Sequence, residues 1–269
     1  MNVAEAPSAN PPQTTSAPLD KYDPGDMPVD GRYHQIPQLL DAIEQRLAEV
    51  IEADRRASES FWEKIKRFFA NPVDFLMRQR SFKAQTDALV AAARMSVSVL
   101  RSVCRVVTDK LHVPEQLKAE HDSWYKAYQQ VQTVAESAPN REQVDGWQGA
   151  AAEAYTRLAR LQTASCWELN KRAVIMCVCY RLAYHLNLNG FNAVHDILQE
   201  VLKSTHGLGG SSSYASTRRM MGMIWAAVAR IFMTYRMAET GARSIEATVR
   251  AAEGAFAHTK ESWPALKQR

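Results

Sequence analysis

Asp145-Gly146-Trp147-Gln148-Gly149-Ala150-Ala151-Ala152-Glu153-Ala154-Tyr155 opens the longest patterned run in the chain. Asp145 and Gly146 are turn formers, and Gly149 accepts backbone conformations closed to other residues. From Ala150 the pattern turns helical. Leu158, Leu161, Ala164, Trp167, Leu169, Ala173, Val174, Cys177, Val178, Leu182 and Leu186 fill one broad stripe at three-four spacing. Asn187-Leu188-Asn189-Gly190 then carries the signals of a helix end, with Gly190 suited to the left-handed cap position. A shorter helix is expected over 191–204.

The same texture extends outward on both sides. Leu39, Leu40, Ile43, Leu47, Val50 and Ile51 predict a helix opened by Pro37 and running to about residue 60. Residues 81–109 and 115–138 read as two more, separated by His112-Val113-Pro114. Residues 214–258 form the last, very apolar in its first half and rich in alanine in its second. Gly207–Ser213 reads as a flexible linker. No run of alternating β-branched residues is long enough for a strand. The expected fold is all-α: an elongated, mainly antiparallel bundle of about six helices.

Composition agrees. With 46% hydrophobic residues the 269-residue chain can bury a sizeable core. Six of the eleven prolines fall before residue 30, so the body holds few chain breakers. Residues 1–31 are poor in large apolar side chains and carry Glu5, Asp20, Asp23, Asp26 and Asp30 against Lys21. They are expected to be a disordered acidic tail, leaving 32–269 as the helical domain. The net charge of +4 is mild, and no nucleic-acid-binding motif accompanies it. No Sec-type signal peptide and no membrane-spanning run is visible.

Little points to catalysis. The seven histidines (34, 112, 121, 185, 195, 206 and 258) show no zinc-protease spacing and no supporting Cys pair. His185 and His195 flank the expected turn at Gly190 and could approach one another there. Gly207–Ser213 lacks the Gly-Lys-Ser/Thr ending of a phosphate-binding loop. Cys104, Cys166, Cys177 and Cys179 include no C-x-x-C pair and read as free thiols of a reducing compartment. Neither an enzyme nor a cofactor or metal is expected.

Trp147-Gln148-Gly149 followed by Ala150–Tyr155 resembles the Trp-x-Gly family of type VII secretion substrates, the helical hairpins exported by Gram-positive bacteria. The resemblance covers roughly residues 115–190. It implies a hairpin whose turn presents Trp147 and Gly149, with Tyr155 continuing the second helix. It also implies a helical protein partner or a homodimer, contact with the secretion machinery, and a secreted or cell-surface location after a cytoplasmic stage. The family's export signal, a tyrosine followed four residues later by an acid, is matched by Tyr235 and Glu239. If that signal operates, Trp147 and Tyr235 should come close, within one chain or across a dimer.

A second reading is peripheral membrane contact. Residues 61–83 interleave Trp62, Phe68 and Phe69 with Lys64, Lys66, Arg67 and Arg78, as in helices lying on a bilayer surface. The apolar runs 173–188 and 220–235 would assist. The alternative for 61–83 is a bulky corner packed on the bundle.

Overall fold

The computed structural model of the chain describes residues 22–28, 31–66 and 72–261. Five α-helices make up most of them: α1 (Ile36–Ile65), α2 (Pro72–Thr108), α3 (Val113–Ser137), α4 (Ala150–Ser204) and α5 (Ala215–Glu261), with 3-10 turns at Gly31–Gln35 and Ala138–Arg141. No strand occurs among the described residues.

The all-α expectation is met with fewer, longer helices. Within the 61–83 corner, residues 61–65 extend α1, Pro72 opens α2, and residues 72–83 belong to that helix. The turn expected at Gly190 does not form, and α4 runs straight through it. Leu188, Phe191, Val194, Ile197, Leu198 and Val201 continue the apolar stripe into the core, each no more than 8% exposed. Burial of that order stabilises by about 1.5–3 kcal/mol per large side chain, against about 1 kcal/mol for one glycine in a helix. Asn187 turns its side-chain amide back on the Ala183 carbonyl at 2.8 Å, which absorbs the local polar signal without ending the helix. A Cβ at Gly190 would meet no atom within 4 Å. Gly190→Ala is therefore expected to raise stability by about 0.5–1 kcal/mol in urea titration. A loss of stability would mean that Gly190 has a cap-like role after all.

The helix directions follow from cross-contacts. Arg101 on α2 reaches Asp41 and Glu44 on α1, while Trp62 lies against Phe75 and Phe82, so α1 and α2 are antiparallel. Arg230 on α5 binds Glu200 on α4, and Gly241 abuts Leu186, so α4 and α5 are antiparallel. Tyr214, just ahead of α5, meets Phe82, and Tyr235 binds the Val103 carbonyl; both pairs are offset by 132 residues, so α2 and α5 run parallel. These contacts define a four-helix bundle of α1, α2, the C-terminal part of α4 and the first half of α5. Its core holds Tyr33, Ile43, Val50, Leu100, Tyr184, Leu198, Met220, Ile224 and Ile231, all under 2% exposed.

A second, smaller cluster of Tyr128, Ala173 and Cys177 joins α3 to the N-terminal part of α4. There α3 continues in the direction of α2, and α4 returns past both. Its 55 residues span roughly 80 Å at about 1.5 Å per residue.

Residues 22–28 correct the expected tail. They cross the α3–α4 seam instead of standing free. The Tyr22 amide donates to the Tyr128 hydroxyl (3.1 Å), and the Tyr22 hydroxyl lies 3.1 Å from His121 Nε2. Arg181 donates to the Asp23 carbonyl at 3.0 Å and lies over the Tyr22 ring. Met27 is buried, and the Tyr184 hydroxyl donates to the Pro28 carbonyl. Tyr22 and Met27 supply apolar surface that a count over the whole acidic segment dilutes. The earlier part of that tail, 1–21, lies outside the described residues.

Candidate functional site

The turn between α3 and α4 is built on two glycines. Gly146 has φ +80, and Gly149, the residue before α4, has φ +93 and ψ −175. Side chains are disfavoured at both angles. Gly149 is required for its conformation only, because a Cβ there would meet nothing within 4 Å. No other part of the chain approaches Gly149 closely.

Between the two glycines Trp147 closes a turn, its amide donating to the Val144 carbonyl at 3.2 Å. Its indole stays 53% exposed and sets its edge against the Tyr155 ring, 5.6 Å between centroids at 72°. Tyr155 is in turn fixed by its hydroxyl, which donates to the Arg141 carbonyl at 2.9 Å. Tyr155 thus clamps the turn to the first helical turns of α4. Around the pair lies an open depression of about 700 Å³, bordered by Gln143, Asp145, Gln148, Glu153, Arg157 and Arg160. Beside it a groove of about 350 Å³ separates Val134 from Cys166 and Leu169. Val134, Leu158, Leu161 and Leu169 are each about half exposed, so this end of the α3–α4 pair presents apolar surface to solvent.

Tyr235 and Glu239 sit elsewhere. The Tyr235 hydroxyl donates to the Val103 carbonyl at 2.9 Å, its ring packs on the main core, and burial pushes its ionisation well above the usual tyrosine range, with Cys104 nearby adding to the shift. Glu239 is exposed and pairs with Arg243 at 2.6 Å. The α4–α5 contacts place Tyr235 near the level of Leu186 and Glu200. Trp147 precedes the start of α4, roughly 60 Å away along that helix at about 1.5 Å per residue. One chain therefore does not bring Trp147 and Tyr235 together; Trp147 takes Tyr155 as its aromatic neighbour instead.

Of the proposed membrane contacts, Trp62 turns inward. Its ring meets Phe61, Phe75 and Phe82 at 5.5–5.9 Å, an aromatic plug under the α1–α2 corner. Phe68 and Phe69 lie outside the described residues.

The ionisable groups do not converge. The approach of His185 and His195 fails because the helix between them is continuous, and among the described residues no three His, Cys, Asp or Glu side chains form a metal-binding group. His121 is buried with Nδ1 3.2 Å from Asp122 Oδ1, and both ring nitrogens are taken up by Asp122 and Tyr22. All four cysteines are free. Burial pushes the Cys104 thiol up to about 12 and Cys177 up to about 11, which leaves both protonated and unreactive at neutral pH.

One buried polar group escaped the sequence reading. Asp54 on α1 is fully buried and accepts hydrogen bonds from the Ser211 amide, the Thr217 amide (2.8 Å) and the Thr217 hydroxyl (2.7 Å). It caps the N-terminus of α5 from another helix. Gly207–Ser213 is consequently no free linker. Arg46 also holds it by the Thr205 and Leu208 carbonyls, at 3.0 and 3.1 Å. The sequence did hold a signal: Asp54 and Ser58 continue the buried phase set by Ile43, Leu47 and Val50.

No family model, curated protein or solved structure matches the chain.

Proposed function

We propose that the protein is a helical interaction protein of the type VII secretion-substrate kind, recognised through the turn at Trp147 and exported with a helical partner. Its role is recognition, not catalysis. The observation that carries the reading is Trp147 itself. A half-exposed indole is held on a glycine-framed turn, backed by Tyr155 and flanked by exposed leucines. An aromatic side chain pre-positioned in this way loses little freedom on binding, which is the property of interface anchors. Trp147 and Tyr155 form the recognition surface; Gly149 sets its geometry. Tyr235 and Glu239 serve as an export signal only if a second chain or a partner brings them to a Trp147 turn.

The test is secretion from the native host, comparing wild type with Trp147→Ala and with Glu239→Ala. Trp147→Ala is expected to abolish export while changing stability by less than about 1 kcal/mol, since the indole is half exposed. Release that persists in both variants, or in a strain lacking the secretion ATPase, rejects the proposal.

A further inference from the structure

The outward face of α5 is apolar and cationic at once. Trp225, Phe232, Met233 and Met237 are 45–67% exposed although they lie on a helix whose opposite face builds the main core. Arg218, Trp225 and Phe232 recur at seven-residue spacing and Arg236 follows by four, so they share one stripe of the helix. Among the described residues no acid pairs with Arg218, Arg219 or Arg236. The stripe is about 30 Å long at about 1.5 Å per residue.

The neighbouring helix has the same bias. Over 75–108 and 215–239 there are ten Lys and Arg residues against two acids, Asp87 and Glu239. Arg101 is held in ion pairs with Asp41 and Glu44, Arg105 with Asp109 and Arg230 with Glu200, and Glu239 is paired with Arg243. Because α2 and α5 run parallel with an offset of 132, exposed Met95 lies level with the middle of the stripe.

We infer that this face of α5 rests on the anionic surface of a lipid bilayer. The charge decides the partner class. Two copies of the chain meeting here would set the cationic stripe against itself. An anionic surface neutralises it. The side chains suit a bilayer better than an acidic helix: the indole of Trp225 fits the headgroup level, and the arginine stems lie along apolar surface while their guanidinium groups reach phosphate. The face is also the convex side of one helix, shaped for a flat surface. Contact is peripheral, since no helix of the described residues is long and apolar enough to cross a membrane. This replaces Trp62, which is half-buried and turned towards Phe75 and Phe82, as the contact point, and it is independent of the Trp147 turn.

The test is co-sedimentation of the full chain with phosphatidylcholine vesicles, with and without about 30% phosphatidylglycerol. Binding is expected only with the anionic lipid, and it should fall in high salt. Arg218→Glu/Arg236→Glu should weaken partitioning about tenfold or more. Trp225→Ser/Phe232→Ser should weaken it comparably at unchanged net charge. All four positions are exposed, so circular dichroism and melting should match wild type. No binding to anionic vesicles at low salt overturns the inference. So does binding that survives Trp225→Ser/Phe232→Ser, which marks nonspecific charge attraction of the kind an acidic protein would also show. A dimer in sedimentation velocity that the same double variant dissolves, without vesicle binding, assigns the face to a second copy.

Discussion

Asp54→Ala is expected to destabilise the protein by about 3 kcal/mol in guanidinium titration and to lower its melting temperature by roughly 10 °C. The substitution removes one acceptor from three donors at once: the amides of Ser211 and Thr217 and the Thr217 hydroxyl. Thr217 is fully buried, so water cannot replace the carboxylate at its amide without opening the seam. The loss is set against the relief of burying a charge, which keeps the figure below that for breaking a buried ion pair. Thr217→Val removes one donor and should cost about 1 kcal/mol. The double variant should then cost about 1 kcal/mol less than the two single changes together, because they share a bond. A loss under about 1 kcal/mol for Asp54→Ala would show that this carboxylate does not hold the loop.

Gly210→Ala is expected to cost about 2–3 kcal/mol, while Gly209→Ala stays within about 0.5 kcal/mol of wild type. The two glycines are neighbours in the same Gly-Ser stretch and differ only in what surrounds them. A Cβ on Gly210 would stand 2.5 Å from the Ala53 carbonyl oxygen, a contact with main chain on α1 that no side-chain rotation relieves. A Cβ on Gly209 meets nothing within 4 Å. Equal melting temperatures for the two variants would mean that the loop lies off α1 in solution.

Both results concern a stretch that reads as a linker from its composition. Gly207–Ser213 has no apolar periodicity, so nothing local reveals that α1 passes against it. The information lies 157 residues earlier, in the Asp54 side chain that binds Ser211. The α3–α4 turn was more legible, because its determinants are local: Gly146 and Gly149 adopt the conformations their type permits, and Trp147 meets Tyr155 eight residues on. The relation of Trp147 to Tyr235 was not legible, since it depends on the length of α4, and one misplaced turn at Gly190 changes it by tens of ångströms.

The sequence by itself determined the helical class, most helix starts and the core stripes, because three-four periodicity and proline act within a few residues. Ile43, Leu47 and Val50 are buried for that reason, as are Met220, Ile224 and Ile231. Only the tertiary structure decided that α4 passes through Gly190, that 22–28 lie across α3 and α4, and that Trp62 turns inward. In each case the local preference is worth about 1 kcal/mol or less, and the apolar burial or hydrogen bonding offered by a distant helix exceeds it.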